Sequence, residues 1–120
     1  MKDFARNIIP SEMKNMHMNV EEFISLYNKK ECILLDIRAP FETDLWQVNF
    51  ALKIPANELP DRLDELPKDK LIVTACPKNN RSNMAMVYLR SEGFNVKYLE
   101  DGLLKLLEHL RGNKAKDIQL

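Results

Sequence analysis

Two rhythms of apolar and polar residues alternate along this chain, and the switch between them marks its elements. Cys32-Ile33-Leu34-Leu35 and Leu71-Ile72-Val73-Thr74-Ala75 are short apolar runs with almost no polar surface. Both read as strands buried on two faces. Met16-His17-Met18, Leu52-Lys53-Ile54 and Asn95 to Leu99 are more mixed and read as briefer strands. Helical spacing appears between them. Asn19 followed by Glu22 has the form of a capping box, and Phe23, Ile24, Leu26 and Tyr27 then build an apolar face. Pro40 starts a short helical turn through Phe41, Glu42 and Leu45. Asn57 to Leu66 spaces leucines and charges as a helix does, with Pro60 where only a first turn tolerates it. Ser82 opens a segment ending at Gly93 that carries Ala85, Tyr88, Leu89 and Glu92 at helical spacing. Asp101-Gly102 turns the chain into a leucine-rich helix, Leu103 to Leu110, which Gly112 ends. Its five leucines are expected to face the protein's own core. Strands that alternate with helices predict an α/β fold, a mostly parallel sheet of about five strands with helices on both faces.

One cysteine stands apart from this pattern. Cys76 follows the second buried run directly and is followed by Pro77-Lys78-Asn79-Asn80-Arg81, a breaker, two turn formers and two cations. A thiol is thus expected at the carboxyl end of a strand, in a tight loop feeding a helix N-terminus. Unpaired backbone N–H groups and the positive end of the helix dipole collect at such a place. Lys78 and Arg81 add charge of the same sign, an environment that favours the nucleophilic thiolate. A free cysteine is more often a small buried hydrophobe; the polar, cationic loop tips the reading toward chemistry.

Composition narrows the function classes. The 120 residues suit one domain with a single core. Eighteen basic and eighteen acidic side chains cancel, so neither nucleic acid nor a membrane surface is expected as partner. No apolar run reaches membrane-span length, and Met1 to Asn15 lacks the apolar core of a secretory signal, which points to the cytoplasm. Cys32 and Cys76 are the two cysteines and sit at no metal-site spacing. Cys32 begins an apolar run and reads as a structural thiol; a resolving partner for Cys76 is the sharper alternative. His17 and His109 lie far apart and read as surface or packing residues, so no metal is expected. Residues 1–15 are taken as an N-terminal extension, 16–112 as the domain and 113–120 as a tail. The chain is expected to be a monomer or a homodimer.

Several motifs then line up in order. Leu34-Leu35-Asp36-Ile37-Arg38-Ala39-Pro40-Phe41-Glu42 is followed by Ala51 with Ile54-Pro55, then by Cys76 with four intervening residues before Arg81-Ser82, then by Leu99-Glu100-Asp101-Gly102. From about Met18 to Leu110 the chain resembles a single-domain rhodanese-like sulfurtransferase. Two departures stand out. Trp46-Gln47-Val48 replaces the Gly-His-Ile frequent in that family, and Asn79 stands where glycine is common in the loop. Asparagine tolerates a left-handed backbone better than other non-glycine residues. Pro77 in addition removes one N–H from the loop.

The resemblance implies a rhodanese-like fold and transfer of sulfane sulfur through a Cys76 persulfide, with no cofactor. A small sulfur-containing anion would be the donor, and a thiol or a protein the acceptor. The loop residues Lys78, Asn79, Asn80, Arg81 and Ser82 would hold the anion, and Arg38 would reach the cup from the first motif. Asp36 and Glu42 are better read as structural. The alternative is a catalytically weakened rhodanese-like module for protein interaction or sulfur sensing, motivated by Pro77, Asn79 and the missing Gly-His-Ile. A cysteine phosphatase or arsenate reductase shares the Cys-loop-Arg logic but uses a longer loop to surround a tetrahedral oxyanion.

Overall fold

The structure, a computed structural model, describes residues 1–120. Its five strands are β1 (His17–Met18), β2 (Cys32–Asp36), β3 (Leu52–Lys53), β4 (Leu71–Ala75) and β5 (Val96–Leu99). They form one sheet in the order β1-β5-β4-β2-β3, parallel at every pairing. The two apolar runs occupy the middle, with Cys32 opposite Leu71 and Asp36 opposite Ala75. Of the mixed segments, β1 and β3 form the two edges, while β5 lies between β1 and β4.

The helices are α1 (Lys2–Arg6), α2 (Pro10–Met13), α3 (Val20–Asn28), α4 (Pro40–Thr43), α5 (Asn80–Ser91) and α6 (Gly102–His109). Two cores separate them across the sheet. On one face Phe23 and Ile24 of α3 and Leu103 and Leu106 of α6 pack on Leu34, Val73 and Ala75. On the other, Ala85, Met86 and Leu89 of α5 pack on Leu35, Ile72, Val96 and Leu59. The α3 start follows its sequence: the Glu22 N–H donates to Asn19 Oδ1 at 2.8 Å.

Some expectations are corrected. Asn57 to Leu66 is not an α-helix but two tight 3-10 segments, Ala56–Asp61 and Leu63–Glu65. Pro60 lies inside the first, where its missing N–H cannot close an α-helical bond. Helix α5 starts at Asn80 rather than Ser82, and it buries Ser82, Ala85, Met86 and Leu89 while Glu92 lies exposed beyond its end. Of the α6 leucines, Leu103 and Leu106 are buried, whereas Leu104 and Leu107 face solvent.

The chain ends are folded onto this body. Residues 1–15 contain α1 and α2; Phe4 packs against the α5-side core, and Arg90 Nη2 donates to the Asn15 carbonyl at 3.0 Å. Beyond α6, a 3-10 segment Gly112–Asp117 returns to α3, where Asn28 Nδ2 donates to the Asp117 carbonyl at 2.7 Å.

Candidate active site

Side chains alternate across β4, so Ile72, Thr74 and then Cys76 turn toward α5 while Val73 and Ala75 turn away. That parity brings the Cys76 thiol to the first turn of α5. The Ser82 N–H donates to Cys76 Sγ at 3.4 Å, and Ser82 Oγ lies 3.4 Å from the same sulfur. Ser82 is fully buried; its hydroxyl is also 3.1 Å from the Asn79 carbonyl and its own carbonyl accepts from Thr74 Oγ1 at 2.9 Å. Strand, sulfur and helix start are thereby fixed to one another.

Cys76 forms part of the wall of a cup of about 260 Å³, with Pro77, Lys78, Asn79, Asn80, Arg81 and Leu104 around it. The N–H groups of Lys78, Asn79, Asn80 and Arg81 donate to no backbone carbonyl, which leaves four donors for an anion. The loop's carbonyls are occupied elsewhere. The Leu103 N–H donates to the Cys76 carbonyl at 2.8 Å and the Leu104 N–H to the Pro77 carbonyl at 3.3 Å, so the N-terminus of α6 grips the loop from outside. In a trans peptide the N–H points opposite to the carbonyl, so anchoring Pro77 O also aims the Lys78 N–H away from α6. Larger depressions exist, one of about 460 Å³ beside His17 and Met86, but none joins a thiol to unpartnered amides.

Gly102 makes this grip possible. Its φ is +80°, and a Cβ there would stand 2.3 Å from the Lys78 carbonyl oxygen and 2.4 Å from that of Pro77. Only glycine permits both that backbone angle and that approach. Asn79, by contrast, has φ −149° and ψ −7°, so the left-handed conformation anticipated for it is absent. Its side chain instead donates to the Glu100 carbonyl at 3.1 Å and ties the loop to the end of β5.

Arg81 is held by Glu42 of α4 through two charge-assisted hydrogen bonds, one of 2.9 Å from Nη2 to Oε2. Glu42 Oε1 also accepts from the Ala39 N–H at 3.1 Å. These donors, Arg81 first, pull the Glu42 carboxyl down to about 2. Arg38 is placed differently from expectation. It is buried, with Nε 3.0 Å from Asp36 Oδ1 and Nη2 2.8 Å from Asp36 Oδ2, and it donates to the Trp46 carbonyl at 3.0 Å. Its guanidinium lies 3.8 Å from the centre of the Trp46 ring. With its donors used in this way, Arg38 braces the loop after β2 and is not part of the cup wall.

Cys32 lies at the other end of the sheet. It sits at the amino end of β2 in register with Leu71, about 16 Å along the strand direction from Cys76 at 3.3 Å per residue, and belongs to the opposite core. Burial pushes its thiol up to about 12. It is a packing residue and does not resolve Cys76 chemistry. His17 pairs with Glu100 at 3.2 Å, and His109 lies 3.8 Å from Glu21.

Missed by the sequence reading were the roles of Gly102 and Leu104. Gly102 had a visible signal as a turn glycine, but only the fold reveals which carbonyls it must approach.

The fold is thus a parallel α/β sheet with a cysteine cup at its carboxyl edge. The Rhodanese-like domain profile matches residues 19–109, and the chain belongs to that family. A sulfurtransferase of Allochromatium vinosum is 33% identical over 85 residues, covering 70% of this chain and 79% of its own. A tRNA uridine(34) hydroxylase of Pelagibacter ubique is 31% identical over 106 residues, covering 85% of this chain but only 35% of that protein. Among solved structures, a rhodanese-related protein of Thermoplasma volcanium superposes with a TM-score of 0.67 at 31% identity, covering 78% of this chain and 91% of that one. A human single-domain sulfurtransferase shares the fold with a TM-score of 0.70 at 23% identity, covering 78% and 96%.

Proposed function

We propose that this protein is a sulfurtransferase that carries sulfane sulfur as a Cys76 persulfide. The observation that carries the reading is the cup itself, in which one thiol shares a wall with four backbone amides free of internal acceptors. A small anion such as thiosulfate fits that donor set in charge and in size.

In the first half-reaction the Cys76 thiolate attacks the outer sulfur of thiosulfate. A Cys76 S–S bond forms, the S–S bond of thiosulfate breaks, and sulfite leaves with the electron pair. The product, Cys76–S–S⁻, keeps one negative charge beside the Ser82 N–H and the loop amides. In the second, a thiol acceptor gives up its proton to solvent and attacks that outer sulfur, returning Cys76 as thiolate. Lys78 adds charge to the cup, and Ser82 positions the sulfur. Arg81, neutralised by Glu42, shapes the loop more than it charges it. A reducing compartment, in which free thiols persist, suits this chemistry. No helix is long and apolar enough to cross a membrane.

The test is thiosulfate loading followed by intact-protein mass measurement. The wild type should gain one sulfur atom and Cys76→Ser none. A wild type that stays unmodified, under conditions that load a known sulfurtransferase, would overturn the reading and favour a binding or sulfur-sensing module.

A further inference from the structure

We propose that the hollow between α2, β1 and α5 binds a soft monovalent metal ion, copper(I), through the thioethers of Met13, Met16 and Met86 and through Nε2 of His17. The site shares no residue with the Cys76 cup and does not depend on the sulfur-transfer reading. Spacing rules for zinc look to cysteine and histidine, which is why no metal is expected from the sequence. Thioethers fall outside those rules. The fold brings together what spacing hides: three of the chain's six methionines and one of its two histidines line a single hollow of about 460 Å³.

Each of these residues is delivered by its own constraint. Pro10 opens α2 and Met13 ends it. The Met16 N–H then donates to the Met13 carbonyl at 3.0 Å, a turn that keeps the two residues neighbours. The Tyr98 N–H donates to the Met16 carbonyl at 2.9 Å and fixes Met16 just before β1. Met86 comes from the middle of α5, one turn beyond Asn83, which borders the same hollow. Arg90, also on α5, donates to the Asn15 carbonyl at 3.0 Å and so fastens the Met13–Met16 turn to that helix. Met86 and Met16 are 1% and 6% exposed and Met13 is 46% exposed, so the methionines grade from the floor of the hollow to its mouth. That gradient supplies a path of entry for an ion.

His17 is oriented as a metal-bound imidazole is. Its Nδ1 lies 3.2 Å from Glu100 Oε2. An ionised carboxylate can only accept, so in the neutral ring Nδ1 carries the proton and Nε2 keeps its lone pair. The Tyr98 ring on the neighbouring strand backs the imidazole, with the centroids 5.7 Å apart.

The donor set selects the ion. Neutral sulfurs and one neutral nitrogen suit a soft, singly charged cation. Zinc takes thiolate, imidazole and carboxylate, and magnesium or calcium takes oxygen, so methionine sulfur serves none of them. Lys14 beside the hollow repels a divalent ion more than a monovalent one, and the Glu100 carboxylate behind His17 offsets that charge. Methionine has three rotatable side-chain bonds, so sulfurs on one wall can turn onto a common ion without moving the backbone.

The experiment uses the full chain with Cys76→Ser, which removes the competing thiol of the cup; Cys32 stays sealed in the opposite core. Copper(I), kept reduced by ascorbate in the absence of oxygen, is titrated against a chromophoric copper(I) chelator. The chain should withdraw one equivalent. Met13→Leu, Met86→Leu and His17→Gln should each lower the affinity at least about tenfold. Met84→Leu, at a methionine outside the hollow, should leave it unchanged. Leucine for methionine conserves volume, so these variants keep the fold. Methyl resonances of Met13, Met16 and Met86 should shift on addition of copper(I), while those of Met84 and of Met18, in the opposite core, stay in place. That second readout requires no ligand variant to fold. A chain that withdraws no copper(I), an affinity unchanged when Met13→Leu and His17→Gln are combined, or shifts confined to other methionines would overturn the site. Zinc bound as tightly as copper(I) would overturn the thioether assignment.

Discussion

Cys76 and Cys32 show how much a cysteine's surroundings decide about its chemistry. Cys76 stands one residue past β4, on the α5 side, where the Ser82 N–H and the loop amides meet it. Cys32 is packed between β2 and α3, with the Phe23 carbonyl 4.0 Å from its sulfur, and burial raises its thiol to about 12. Both thiols are buried, but only Cys76 lines the open cup, so iodoacetamide at pH 8 should modify Cys76 alone in the folded protein and both thiols in urea. Peptide mapping that found Cys32 alkylated first would contradict this assignment. The linkage has a definite sign. An unfolded Cys32 ionises near about pH 8.5, whereas the folded one stays neutral until about 12. Its contribution to stability is intact below pH 8.5 and is lost as pH rises toward 12.

Elements are joined at the site by two contacts that lie far apart in sequence. Glu42 of α4 holds Arg81 of α5, and its carboxyl falls to about 2 because of that partner. The folded value lies below the ordinary carboxylate range of about 4.3. The pair's stabilisation is therefore complete above about pH 4.3 and disappears as pH falls through 2. Both side chains retain solvent contact, so Glu42→Gln should cost about 1 kcal/mol at neutral pH. Urea titrations of the two proteins should converge near pH 2; a gap unchanged at that pH would show that Arg81 is held by something else. The second contact is Gly102 against the Pro77 and Lys78 carbonyls. Gly102→Ala combines a φ of +80° with a Cβ 2.3 Å from backbone, and neither can be relieved by a side-chain rotation. The variant should lose at least about 2 kcal/mol in urea denaturation and load less sulfur than the wild type at equal folded fraction. Normal loading in a destabilised Gly102→Ala would separate the glycine from the cup's shape.

At the scale of the whole molecule, what could be read from the chain alone follows the range of the physics involved. Strands β2 and β4 were legible because burial on both faces leaves a continuous apolar run, and the Asn19 cap because it is settled within one helical turn. The position of Cys76 at a strand-to-helix switch was legible for the same local reason. Relations that depend on packing were not. Ser82 is expected from sequence among the loop residues that would hold an anion, yet it is fully buried behind the sulfur. Arg38 is expected from sequence to reach the cup, but Asp36 two residues earlier and the Trp46 ring absorb it. The leucines of α6 look alike until the sheet selects Leu103 and Leu106 and leaves Leu104 and Leu107 outside. Asn79 invites a left-handed reading that its observed φ of −149° does not need.

The grip of α6 on the Cys76 and Pro77 carbonyls has a consequence for how the protein comes into being. During synthesis the thiol emerges well before Gly102, Leu103 and Leu104 do, so a nascent chain holds this sulfur while its seat is still unfinished. The cup therefore takes its shape only when α6 docks, which makes completion of the fold, rather than appearance of the cysteine, the event that sets the site.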